Sequence, residues 1–413
     1  MADNDSPDPF EQSLTPRSIN ELQAIFEEIQ HNVIRREWLV QNEERIREAI
    51  QAGLEDESVQ PHGLAALLLV LPHVRSHYEQ WTSIILPAVK LSRQLRQAEN
   101  VSRLYMALAS FYSYTEQHEQ AEAVLKKVEG WFSLEMREEV VAETGICLVE
   151  VLLYRFDKRL NDELLNSLLR CARAARNPHL LARAHQSLCR AYTARGDKEK
   201  AIVFGKRALD YFTGMCDRYN MFRSALALAK AYRASADYIL SERYLQIARE
   251  SVVDAITDKE WGDLYYELGV IGYERAVTGE GDSRYEDVIA YFQQARAYYD
   301  KTAMPYRYAA VYHAQGLLLT RMGSFDDAEE CLKTAEDSWA KLENPYQMVN
   351  THYARSFNEA KRGALTAARQ LAHEAVEMVG ELPDTMSYDE LHGELQFHLR
   401  KLNSGYFPKA EGE

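Results

Sequence analysis

Residues 188–209 read LCRAYTARGDKEKAIVFGKRAL, and residues 228–249 read LAKAYRASADYILSERYLQIAR. Each stretch has Leu and a small residue, then Ala-Tyr, a polar turn, and a second apolar run that ends on a small Ala. Spacings of three and four put the apolar positions on one face of each helix. The small residue near the end of the second helix serves as a marker. Ala208, Ala248, Ala295, Ala335 and Ala375 follow one another at 40, 47, 40 and 40 residues, and Ala88 and Val128 hold the same phase upstream. One helical hairpin cannot bury its apolar face alone, so a phrase repeated this often predicts stacked copies.

The interior of each unit repeats as well. Leu108-Ala109 with Tyr112, Leu188-Cys189 with Tyr192, and Leu228-Ala229 with Tyr232 sit on first helices, and Leu268-Gly269 and Gln315-Gly316 continue the series more loosely. Second helices carry Ala121/Leu125/Val128, Ser241/Leu245/Ala248, Val288/Phe292/Ala295 and Ala328/Leu332/Ala335. Small residues let helix axes approach to about 8–10 Å, and the larger side chains fill the grooves beside the crossing. Gly196-Asp197 and Gly323-Ser324 mark turns between helices. Two places depart from the pattern: Gly205 stands where a bulky residue is expected, and the unit at 139–174 is degenerate.

Over about residues 62–378 this pattern resembles the tetratricopeptide repeat, whose usual unit is about 34 residues. A period of 40 implies longer helices, similar to the repeats of Rap-type regulators and of the sensor arms of maltose-regulator-like proteins. The resemblance implies a right-handed α-solenoid of stacked antiparallel helix pairs. The expected organisation is an acidic disordered tail at 1–17, an N-terminal helical segment at 18–60, repeats at 61–380, a C-terminal capping helix at 381–404 and a flexible tail at 405–413. Ser18 and Glu21 form a capping box ahead of the stripe Leu22, Ile25, Phe26, Ile29 and Val33. Tyr388, Leu391, Leu395, Leu399 and Leu402 form the stripe of the last helix.

Composition agrees with an all-α protein. Of 413 residues only 11 are Pro, helix formers abound, and no long run is rich in β-branched residues. A formal charge of -15 argues against bulk nucleic-acid affinity, which depends on clustered Lys and Arg, and no basic recognition helix lies near either end. Five scattered cysteines without a C-x-x-C pair read as reduced, mostly core thiols. The start, MADNDSPDPF, is acidic and polar, unlike a secretory signal. Leu64–Val74, interrupted by Pro72, is far short of the roughly 20 apolar residues that span a bilayer. A cytoplasmic protein is expected.

Catalytic spacing is absent from the sequence: no G-x-S-x-G, H-E-x-x-H, Walker-type or dinucleotide motif occurs. In HGELQFH, six residues separate His392 from His398, which puts the imidazoles on different faces and favours a solvated helix over a metal site. The GEGDS loop at 279–283 lacks the strand and Lys of a phosphate loop. It lies in an insertion of seven residues at about 275–286, which suits either a functional projection or a tolerated loop.

Two further patterns lie on first helices, whose outward faces line the inner curve in the repeat family. The first is basic. Arg183 and Arg223 are 40 apart, as are Arg190 and Lys230; Arg103 lies 80 before Arg183, and Arg233 adds a turn. In an acidic chain these ladders suggest a carboxylate or phosphate site, or else a solvated face paired to neighbouring Glu and Asp. Lying off the apolar stripe, they are expected to be replaceable without loss of fold. The second pattern is aromatic: Tyr266, Tyr273, His313, Tyr353 and Phe357 occupy comparable positions, and either recognition or helix packing explains them.

The sequence therefore predicts a non-catalytic interaction scaffold that holds an acidic peptide or partner-protein surface in the groove of the array, with no cofactor, metal, nucleic acid or membrane. The alternative is a sensor whose array changes pitch when a small ligand or signal peptide binds.

Overall fold

A computed structural model describes residues 19–33, 36–74, 77–129, 138–155, 157–251, 257–279, 284–302, 304–382 and 388–404. The tails expected at 1–17 and 405–413, and Ser18 of the capping box, lie outside the described residues. Among those described are nineteen α-helices, one 3-10 turn and no strand. No described helix is long and apolar enough to cross a membrane. The chain divides into two compact units, Met1–Val140 and Val141–Glu413.

The first unit contains α1 (Ile19–Asn32), α2 (Arg36–Glu55), α3 (Gln60–Val70), α4 (Tyr78–Gln94), α5 (Ala98–Tyr114) and α6 (His118–Glu129). The expected stripe of α1 is buried, from Leu22 through Ile29 to Val33. Trp81 of α4 is fully buried and donates its indole N–H to Glu43 Oε1 at 2.8 Å, so the large ring costs no orphaned polar group.

The unit division falls within the first turn of α7 (Glu138–Arg155). After it come α8 (Asp162–Ala174), α9 (Pro178–Ala194), α10 (Lys198–Gly214), α11 (Arg218–Ala234), α12 (Tyr238–Ser251), α13 (Asp258–Thr278), α14 (Tyr285–Thr302), α15 (Pro305–Met322), α16 (Phe325–Lys341), α17 (Pro345–Arg362), α18 (Leu365–Glu381) and α19 (Tyr388–Ser404). Helices α9, α10 and α11 each have 17 residues. Three-residue turns separate them, and that sum sets the 40-residue period.

The turns share one construction. Arg176, Gly196, Cys216 and Ala236, twenty residues apart, all have positive φ, and so do Gly323, Glu343 and Gly363. The next amide bonds back five residues: Asp197 N–H to Tyr192 O at 2.9 Å, Asp217 to Phe212 at 3.0 Å, Asp237 to Tyr232 at 3.0 Å. That same residue caps the following helix, as Asp197 does by accepting from the Lys200 amide at 3.1 Å. Each turn thus closes one helix and opens the next.

Every repeat marker is buried: Ala88, Ala208, Ala248, Ala295, Ala335 and Ala375 are 0% exposed and Val128 2%. Gly205 is small for a reason the sequence did not reveal. A Cβ there would lie 2.7 Å from Leu228 Cδ2 and 2.8 Å from Cys189 Sγ, so neighbouring first helices fill the space. Gly269 leaves room for Phe292 in the same way. The insertion near 275–286 is partly helix, since α13 runs 21 residues to Thr278 and is capped by Gly279 at φ 73; residues 280–283 lie outside the described residues.

Successive first helices touch one another, α9 to α11, α11 to α13, α13 to α15 and α15 to α17; no comparable contact joins successive second helices among the described residues. A row of hairpins close on one side and splayed on the other curves toward the close side. The face formed by α9, α11, α13, α15 and α17 is therefore the inner one.

Helix α19 ends the row. Leu391, Leu395, Leu399 and Leu402 are buried, and so is His398 at 4% exposure. The expectation of a solvated helix at HGELQFH fails for His398. Its Nε2 lies 2.9 Å from Ser356 Oγ, and its ring packs on Tyr353 at 4.9 Å. His392 instead meets Gln396 on its own helix at 3.3 Å. The cysteines are all free: Cys147 and Cys189 buried, Cys171 and Cys331 half-buried, Cys216 exposed on a turn.

Candidate functional site

The basic ladder on the inner face is interleaved with glutamates from other repeats, one or two along. Arg183 approaches Glu143 at 3.7 Å, Arg190 contacts Glu150, and Arg223 approaches Glu150 at 3.7 Å. Farther along, Lys230 lies 3.0 Å from Glu267, and Arg233 lies 3.4 Å from Glu267 and 3.0 Å from Glu274. These side chains remain 26–37% exposed, so they are held by carboxylates without being closed off. Lys230 and Arg233 do lie off the apolar stripe, but their partner Glu267 is 2% exposed. Reversing them would bury like charges together, contrary to the expectation that the fold is indifferent to them.

Below the ladder lies a buried ionic layer on α13, where Lys259, Glu260, Asp263 and Glu267 are all under a tenth exposed. Asp263 faces Arg307 at 3.1 Å and Lys259 at 3.6 Å and accepts from the Tyr299 hydroxyl at 2.7 Å. Burial alone would raise its pKa, yet Arg307 and the two lysines hold it below the carboxylate range. Glu260 accepts from Tyr219 at 2.7 Å and closes the capping box on Thr257. For Glu150, too, burial opposes ionisation; Arg190, Arg223 and Lys259 outweigh it, and the pKa is lowered. That third cation belongs to α13, three repeats along from α7.

Arg103 belongs to the first unit, on α5, where it pairs with Glu99 one turn away at 2.9 Å. The aromatic positions are mostly recessed. Tyr266 packs on Phe292 at 6.2 Å, with its hydroxyl pKa raised by burial and then by Glu267. Tyr273 is raised by burial, against the hydrogen bond to Arg321. His313 bonds Thr351 Oγ1 at 3.0 Å, and burial lowers its pKa to about 4. Tyr353 and Phe357 lie against His398 of α19.

Glu143, Glu150, Glu267, Glu274 and Lys259 were missed from sequence, although a signal existed for two of them. Glu143 lies 40 residues before Arg183, and Glu150 lies 40 before Arg190. The ladder continues upstream with its sign reversed. Among the described residues no group of three or more His, Cys, Asp or Glu side chains is placed to hold a metal ion.

Inner first helices, outer second helices and a polar inner face describe a known architecture. The fold is a tetratricopeptide-like array. A Rap protein complexed with Competence and Sporulation Factor aligns over 94% of this chain and 98% of its own, with TM-score 0.51 and 12% identity. Aspartyl phosphate phosphatase F from Bacillus subtilis aligns over 87% and 94%, with TM-score 0.50 and 15% identity. Cut9, in the APC/C hetero-tetramer Cut9-Hcn1, aligns over 86% of this chain and 60% of that one, with TM-score 0.55 and 15% identity. No protein-family model matches the sequence, and no curated protein sequence matches it either.

Proposed function

We propose that this chain is a non-catalytic binding protein, free in the cytoplasm and without a cofactor, whose second unit takes an acidic peptide or a carboxylate-bearing surface of a partner protein along its inner face. The observation that carries this reading is the run of Arg183, Arg190, Arg223, Lys230 and Arg233, partly exposed and held in orientation by glutamates of other repeats. Guanidinium groups fixed in this way lose little freedom on meeting a ligand carboxylate, and charge-assisted bonds are the strong ones. Complexes formed by other proteins of this fold, a Rap protein with Competence and Sporulation Factor and Cut9 with Hcn1, support binding as the use of such an array.

The test is selection from a displayed random-peptide library against the full chain. Enrichment of Asp and Glu is expected, with affinity falling as salt rises. Arg183→Gln with Arg223→Gln should weaken the selected peptides at least tenfold, since a charged hydrogen bond contributes about 1.5–3 kcal/mol. Peptides without acidic bias, or equal affinity for the double variant, would sink the reading.

A sensing role is the second reading. It is favoured by the bonds that tie each first helix to the next, such as Lys230 to Glu267 and Thr320 to Asn358 at 2.9 Å, because a ligand altering them would alter the stacking.

A further inference from the structure

Glu150 sits where a ligand would be expected. It projects from α7, the Arg190 guanidinium of α9 contacts it, and that of Arg223 on α11 approaches at 3.7 Å. Two guanidinium groups from two successive hairpins meet on a carboxylate contributed by a third. Such a cradle binds anions by its arrangement, whichever carboxylate fills it.

The exchange of one carboxylate for another is the least costly way to open it. Expelling Glu150 into water alone would take from Arg190 and Arg223 the carboxylate they share, which is unfavourable. A ligand carboxylate entering as Glu150 leaves keeps the charge count of the cradle constant. Two carboxylates cannot share it without repulsion, so entry and departure are coupled.

We propose that Glu150 is a built-in occupant of an anion site formed by Arg190 and Arg223, and that an acidic segment of the partner displaces it. This deepens the preceding reading and rests on it, adding regulation: the free array is self-blocked, and binding releases the Glu150 end of α7. The self-block lowers apparent affinity by the fraction of molecules in which the cradle is open.

The probe is fluorescein-labelled hexaglutamate, titrated by anisotropy against the full chain at low salt. Glu150→Gln, which keeps the shape and removes the competing charge, should bind at least tenfold tighter than wild type, and adding Arg190→Gln should abolish the gain. Equal or weaker binding by a Glu150→Gln chain with wild-type helix content overturns the proposal. If that variant loses helix content, hydrogen exchange on the wild type decides. Saturating hexaglutamate should deprotect residues 144–153 while α9 keeps its protection, and unchanged exchange there overturns the displacement. Where library-selected acidic peptides bind but hexaglutamate binds neither chain, this inference falls alone; where no acidic peptide binds at all, the binding function falls with it.

Discussion

Lys230 of α11 holds its ammonium 3.0 Å from Glu267 of α13, a carboxylate whose side chain is only 3% exposed. The pair joins two repeats across 37 residues of sequence, with Arg233 as a second partner for the same carboxylate. Removing one member of a recessed pair leaves a buried charge short of its partner. Lys230→Glu should therefore cost about 3 kcal/mol by chemical denaturation, and Lys230→Met clearly less, because Arg233 still neutralises Glu267. Equal stability of both variants with wild type would show the pair to be solvated.

The shared turn makes a second, separate prediction. Gly323 has φ 81, and a Cβ there would meet nothing within 4 Å. Gly323→Ala should lower stability by about 1 kcal/mol through backbone strain alone. Conversely, Ala236 at φ 58 already carries that strain. Ala236→Gly should raise the melting temperature, and a fall would mean that the turn is not strained at Ala236.

Close helix approach gives a third. A Cβ on Gly269 would lie 2.6 Å from the ring of Phe292, which is fully buried. Gly269→Ala should cost about 1–3 kcal/mol by overpacking. Phe292→Leu in the same chain should restore part of the loss, as a double-mutant cycle would measure. Additive losses would place the strain elsewhere.

Acid should loosen the protein before its carboxylates are protonated. Burial lowers the pKa of His398 from 6.5 to about 4, with Lys401 adding to the effect, and burial alone does the same for His313. The unfolded chain thus takes up protons below pH 6.5 that the folded chain refuses until about pH 4. Stability is full above 6.5, falls across that interval, and the histidine contribution levels off below it. His398→Gln should reduce the slope of the dependence and leave the part due to His313, and exchange near α19 should rise first in wild type. A profile flat from pH 7 to 5 would contradict neutral, buried imidazoles.

The sequence by itself determined the period, the helix pairs and the apolar stripes, because these follow from local spacing: burying one face of a helix requires side chains three and four apart, whatever lies opposite. It marked the turn at Gly196-Asp197 but not at Cys216 or Ala236, where tertiary packing imposes a left-handed conformation that residue type does not announce. Tertiary structure alone decided which cation meets which carboxylate. Arg190 and Arg223 were legible as a ladder, yet their meeting on Glu150 depends on how three hairpins curve together, and curvature accumulates over many contacts. For the same reason the sequence left Tyr353 open between recognition and packing, and the next helix in the stack, α19, lays His398 against it. Spacing along one helix fixes which face a side chain occupies; what stands across from that face is set by the stack.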